Sequence, residues 1–284
     1  MHAPRTSLVI HRIFHPTDFS EDSQVAFAHA LKLALAYRAE LTIMHVDPEI
    51  SPEGFEDFPR VRPTLAKWGL LPESSAKGDV TRLGLHIRKV RALASDAKQA
   101  IIHHLTAAPT DLMVLATHQH EGFARWVHHS LAEPISRHMH VKTLFVPSHV
   151  HGFVDRETGK TSLNRLLLPI SLTPPSQPAI DAATALVSQL NVSPVTLTLV
   201  HAGQEPDPTA LVLPDKPDWS WNQLFGQGDP VEWVLAAGAE FDVDVIVMAT
   251  KGQDSVLDML RGSTTERVLR GARCPVLAIP APLV

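Results

Sequence analysis

The stretch ATKGQDSVLDMLRGSTTERVLR combines residue types that can hold a phosphate group. Gly252 follows the apolar run at residues 245–248, and Gly262-Ser263 stands directly before TERVLR. Glycine lets a ligand approach backbone N–H groups that a side chain would screen. Ser263 followed three residues later by Glu266 is a capping-box pattern, which predicts a helix start with free N–H groups. Lys251, beside this loop, could offset phosphate charge. The same residues also fit an ordinary turn into a well-capped helix, with a solvated lysine. The G-x-x-x-x-G-K-[ST] spacing is absent, so this is not a P-loop.

Other residues suggest chemistry less strongly. Of the 17 histidines only His201 lies beyond residue 151. His118 and His120 flank Gln119, His128 and His129 precede Ser130, and His138 and His140 follow, with Glu121 nearby. Imidazoles so grouped could hold zinc, yet their spacing matches no compact structural-zinc pattern and no cysteine joins them. Surface or capping histidines are the stronger reading, so no metal site is expected. Ser130 and Ser263 lack a G-x-S-x-G elbow, which argues against hydrolase chemistry. Asp111 and Asp244 each precede an apolar run, a position that favours a structural turn over catalysis. The single cysteine, Cys274, excludes an intrachain disulfide.

The elements that must position these residues occur twice. DLMVLATHQ at Asp111 matches DVIVMATKG at Asp244, and the same offset of 133 carries VKTLFVP onto CPVLAIP. LTIMHV at Leu41 matches LTLVHA at Leu197 at an offset of 156, so the first half holds about 20 additional residues between its second and fourth strands. IFHPTDFS at Ile13 matches LLLPISLT at Leu166. Continuous apolar runs predict parallel strands covered on both faces. Between them, Ser20, Ser95 or Asp96, and Asp229-Pro230 predict helix starts. The segment AGQEPDPTALVLPDKPDWSW reads as a surface excursion, and residues 148–162 as a polar connection between halves. Repeated strand–helix–strand units predict an α/β fold. A net charge of −5 gives no global attraction for nucleic acid. No apolar run reaches a membrane span and no secretory signal is evident, so a soluble cytoplasmic protein is expected.

HPTDFSEDSQVAFAHALKLA with LTIMHV in one half, and VIVMATKG followed by RGSTTERVLRGARCPVLAIP in the other, resemble the universal stress protein family in its tandem two-domain form. The resemblance implies two five-stranded parallel-sheet domains of the adenine nucleotide alpha hydrolase-like type, at residues 1–150 and 162–284. It also implies that their last strands pair, making an intramolecular pseudo-dimer. Many members bind ATP and others have lost the pocket. The family's acidic residue after strand one falls on Asp18 in the first half and on Ser171 in the second. Its Gly-x2-Gly-x9-Gly-Ser/Thr loop falls on Ala249, Gly252, Gly262 and Ser263 in the second half, with Lys251 beside Gly252. In the first half it falls on Ala116, Gln119, His129 and Ser130, where all three glycines are absent.

The expectation is therefore a non-catalytic stress-response protein with ATP or a related nucleotide in its second domain, and Asp18 serving only the first. An interaction module without nucleotide and a slow ATP hydrolase are the alternatives. Protein partners are not legible, and homo-oligomerisation beyond the internal pairing is left open.

Overall fold

The computed structural model describes residues 9–48, 55–117, 141–171, 174–203, 211–251 and 264–281. The first half runs β1 (Arg12–Pro16), α1 (Glu21–Tyr37), β2 (Glu40–Asp47), α2 (Val61–Lys67), α3 (Lys77–Arg82), β3 (His86–Leu93), α4 (Ala97–Ala107), β4 (Leu112–Thr117) and β5 (Lys142–Pro147). The second runs β6 (Arg165–Pro169), α5 (Gln177–Gln189), β7 (Val195–Ala202), β8 (Trp219–Gly226), α6 (Pro230–Glu240), β9 (Val245–Lys251), α7 (Thr264–Gly271) and β10 (Val276–Ala281).

The strands form one sheet in the order β3-β2-β1-β4-β5-β10-β9-β6-β7-β8. Each half contributes five parallel strands, and the halves join through the antiparallel pair β5–β10. Leu144 stands opposite Leu277, flanked by Phe145 with Val276 and Thr143 with Ala278. The expected pseudo-dimer is thus a continuous ten-stranded sheet.

Two helical layers cover it because the strands are apolar on both faces. On one face α1 and α5 bury Ala26, Ala30 and Leu33, and Ile180, Ala183 and Leu186, in a core that crosses the seam through Leu144 and Leu277. Alanines at the contacts let these helices lie close to the strands. Gln189 also donates to the Ala36 carbonyl, tying α5 to α1. On the other face Ile101 and Leu105 of α4 pack with Phe14 and Phe145, while Val234 of α6 and Val268 of α7 pack with Ile246 and Val276.

Local signals explain where elements begin. The Ser20 hydroxyl accepts the Ser23 N–H, Asp96 accepts that of Gln99, and Asp229 accepts those of Val231 and Glu232. Asp111 accepts the N–H groups of His11 and Arg12, and Asp244 those of Asn164 and Arg165. Both aspartates therefore bind adjacent strands at their amino ends, away from the loops that could hold a ligand.

Two segments differ from their sequence reading. Trp219 to Gly226, whose first three residues fall in the segment read as a surface excursion, is edge strand β8, paired in parallel with β7 from Val195↔Trp219 to Ala202↔Gly226. The connection after β5 is not a free tether. Phe153, Val154 and Leu163 are buried, and Val154 bridges Thr161. His29 of α1 accepts the N–H groups of Phe153 (3.0 Å) and Val154 (3.3 Å), and Trp68 donates to the Arg156 carbonyl (3.0 Å).

Candidate functional site

In an open parallel sheet, ligands bind beyond the carboxyl ends of the strands where strand order reverses. That reversal lies between β1 and β4 in the first half, and between β6 and β9 in the second. The chain therefore has two candidate crevices related by its repeat.

The first is bordered by Thr17, Asp18 and Phe19 after β1 and by Ala116 and Thr117 at the end of β4. Thr17 Oγ1 accepts the Ser23 hydroxyl (2.9 Å) and the Phe19 N–H (3.1 Å). Asp18 is exposed, and its Oδ1 accepts both the N–H (3.0 Å) and the hydroxyl (2.6 Å) of Ser20. Its carboxylate thus helps shape the start of α1. His45 Nδ1–H donates to the Thr17 carbonyl (2.7 Å), and the Phe19 ring stacks on His45 at 4.0 Å between centroids. Phe58, only 1% exposed, meets Phe19 edge-on at 5.4 Å. Beyond His45, Asp47 receives the Arg91 Nε–H (2.5 Å), which holds its carboxyl below the ordinary range.

Beneath this crevice lies His15, fully buried. Its Nδ1–H donates to the Val114 carbonyl (2.9 Å), while Nε2 has no partner among the described residues. Burial pushes its pKa down to about 4, against smaller upward effects of the Val114 carbonyl and Asp18. The imidazole is therefore neutral at pH 7. At the equivalent place the second half has Leu168.

The second crevice is bordered by Ile170 and Ser171 after β6 and by Ala249, Thr250 and Lys251 at the end of β9. Here the turn closes on itself. The Ser171 N–H donates to Ser176 Oγ (2.8 Å), the Ser176 hydroxyl to the Ser171 carbonyl (3.0 Å), and the Ser171 hydroxyl to the Pro174 carbonyl (3.1 Å). His201 Nδ1–H donates to the Ile170 carbonyl (2.8 Å), repeating the His45–Thr17 contact. Among the described residues no aromatic ring packs on His201.

Ala249 is half-buried in β9, on the face covered by α5, and Lys251 ends the strand opposite Ala281. Gly252, Gly262 and Ser263 lie outside the described residues, as do Gln119, His129, Ser130 and the histidines at 118–140. The helix expected after Ser263 is present as α7, where Glu266 pairs with Arg270. Asp18 does not join the other candidates, because β4, β5 and β10 separate β1 from β9. At about 4.8 Å per strand, four spacings put these crevices roughly 19 Å apart along the sheet.

Among the crevice residues that sequence reasoning missed, two pairs stand at equivalent places of the repeat. His45 and His201 sit at matching positions of the repeated LTIMHV and LTLVHA, so the repeat itself carried the signal. Thr117 and Thr250 likewise match at the offset of 133; both hydroxyls are buried at the switch points, with no hydrogen-bond partner among the described residues. No group of three or more possible metal-ligating side chains occurs among the described residues, and no described helix is long and apolar enough to cross a membrane.

A profile of the universal stress protein family matches residues 10–147 and 221–280. The chain is 38% identical over 66 residues to a universal stress protein of Methanothermobacter thermautotrophicus, covering 23% of this chain and 44% of that protein. It is 39% identical over 56 residues to a Thermus aquaticus protein named for its place in the QAH/OAS sulfhydrylase 3' region, covering 20% and 41%. It thus spans less than half the length of these curated relatives. A crystal structure of a universal stress protein from Archaeoglobus fulgidus shares the fold across 97% of this chain and 98% of that one, with a TM-score of 0.58 and 17% identity. A putative universal stress protein from Pseudomonas aeruginosa matches across 96% and 94%, with a TM-score of 0.57 and 12% identity.

Proposed function

This chain belongs to the universal stress protein family, and we propose that it is a non-catalytic, cytoplasmic stress-response protein whose second half binds ATP or a related nucleotide. The asymmetry of the two crevices carries this reading. In the first, Phe58 closes an aromatic stack on Phe19 and His45, and Asp18 is committed to Ser20. In the second, His201 keeps the equivalent hydrogen bond without a stacked ring among the described residues.

The phosphates would run along the turn after β9, past Ala249, Lys251 and Gly252, to Gly262 and Ser263 at the start of α7. Glycine at 252 and 262 leaves backbone donors open, and the helix end favours negative charge. Ser171 gives no anionic acceptor for a ribose, so binding rests chiefly on the phosphates. The first half, whose crevice carries the Phe19, His45 and Phe58 cluster, reads as an interaction module. The domains assigned to it and to the nucleotide site are residues 1–150 and 162–284.

Mass spectrometry of the natively purified chain tests occupancy directly, with released ATP or a close analogue as the expected result. Calorimetric titration with ATP and magnesium then compares Gly262→Leu with Asp18→Asn. Affinity should fall in the first and persist in the second; loss only in the Asp18 variant would move the ligand to the other crevice and defeat the assignment.

A further inference from the structure

On the outer part of the first half the balance of charge reverses. The whole chain carries a formal charge of −5, yet four cations gather where α2, α3 and β3 meet. Arg60 caps α2, Arg62 lies in its first turn, Lys77 opens α3 and Lys89 sits midway along β3. Arg62 Nη1 donates to the Ser75 carbonyl at 2.8 Å, drawing α2 toward the turn that leads into Lys77. Lys89 Nζ stands 5.6 Å from the centroid of the buried Phe58 ring. Burial, and then repulsion from Arg60, Arg62 and Lys77, push the Lys89 ammonium below the usual lysine range.

Among the described residues none of the four pairs with a carboxylate. Two nearby carboxylates are committed elsewhere. Asp47 binds Arg91 and His45, and Asp79 binds Arg82 and the Ala76 N–H. Clustered like charges without a counter-charge raise the local potential and attract anions from solution.

We propose that Arg60, Arg62, Lys77 and Lys89 form a binding site for an oligophosphate group, separate from the second crevice and bordering the first through Phe58. Guanidinium forks match pairs of phosphate oxygens, and the lysines add point charges between them. A chain of phosphates carries charge along its length and can meet four cations together, which a single carboxylate cannot. Phe55, 53% exposed and 5.3 Å from Phe58 between centroids, borders the cluster. The shared chemistry is therefore a phosphate chain, either inorganic or the tail of a nucleotide whose base meets Phe55.

Calorimetric titration of the full chain with inorganic tripolyphosphate, at low and moderate salt, tests the site. Binding should weaken with salt and fall about tenfold in Lys89→Gln or Arg60→Gln, the loss of one charge-assisted contact. Gly262→Leu should remove at most the binding at the proposed nucleotide crevice and leave the part that responds to Lys89→Gln and Arg60→Gln unchanged, which separates the two sites. Arg60→Gln should keep or raise the urea midpoint, because its side chain makes no hydrogen bond that would be lost. In the Gly262→Leu background, ATP binding tighter than tripolyphosphate, with that advantage gone on adding Phe55→Ala, assigns the nucleotide source; equal binding assigns the inorganic one. Absence of tripolyphosphate binding, binding insensitive to both charge variants, or binding lost only in Gly262→Leu would overturn the site. So would a lowered urea midpoint in Arg60→Gln, or capture of a single-stranded oligonucleotide with no response to tripolyphosphate.

Discussion

The buried imidazole of His29 accepts the backbone N–H of Phe153 at 3.0 Å, across 124 positions of sequence. Its Nδ1–H donates to the Val25 carbonyl at 2.8 Å, so Nε2 must remain unprotonated to accept. One neutral side chain thereby fixes the segment between halves to α1.

Acid should loosen this arrangement. Burial lowers the pKa values of both His29 and His15 from 6.5 to about 4. The unfolded chain therefore takes up these protons first as pH falls. Their contribution is complete above pH 6.5 and is lost on descending toward pH 4, at about 1.4 kcal/mol per pH unit for each imidazole. Urea unfolding at pH 7.5 and 5.0 should show this loss, with a shallower pH dependence in His29→Gln. Equal stability at both pH values would contradict it.

Gly159→Ala should destabilise the chain by about 1–3 kcal/mol. Gly159 has a φ of +64°, and an added Cβ would come within 2.4 Å of the Trp68 ring. Trp68 is itself buried and hydrogen-bonded to Arg156, so it has little room to retreat. Urea titration measures the cost, and a neutral result would show that the segment can detach from Trp68 without consequence.

Asp244→Ala should cost about 1–3 kcal/mol, because the half-buried Asn164 N–H loses its acceptor together with that of Arg165. Asp111→Ala should cost less, since its two N–H groups, on His11 and Arg12, are in an exposed setting and can turn to water. Thermal unfolding of both variants gives the order, and the reverse order would refute this accounting.

Leu277→Ala should destabilise by about 2–5 kcal/mol, the usual range for truncating a buried leucine. A small apolar cavity already lies beside Leu277, between Leu33, Leu144 and Leu186, so truncation would enlarge a void. Denaturant unfolding can test this; a loss below the range would mean that α1 and α5 collapse into the space.

Much of the fold was legible because the halves repeat. The apolar runs at β4 and β9, each introduced by an aspartate, predicted equivalent strands, and the aspartates do occupy equivalent places. β8 was hidden because Pro214 and Pro217 precede it and it alternates only loosely, although Trp219, Trp221 and Phe225 stand at period two. The aromatic cluster at the first crevice was not legible. Phe58 belongs to a stretch rich in proline, glycine and acidic residues, which reads as surface, and only tertiary packing buries it against Phe19. His29 was one histidine among many until the chain returned to it at Phe153. The cations of α2, α3 and β3 are spread over 30 positions, from Arg60 to Lys89, and only the fold gathers them.

Joining the halves in one chain also changes what the β5–β10 seam must withstand. Two separate subunits meeting through Phe145, Leu144 and Thr143 on one side and Val276, Leu277 and Ala278 on the other would part on dilution. A covalent connection holds such partners at an effective concentration on the order of millimolar, whatever the amount of protein in solution. The seam can therefore stay short, and each half is free to lose or gain a ligand site without losing its companion.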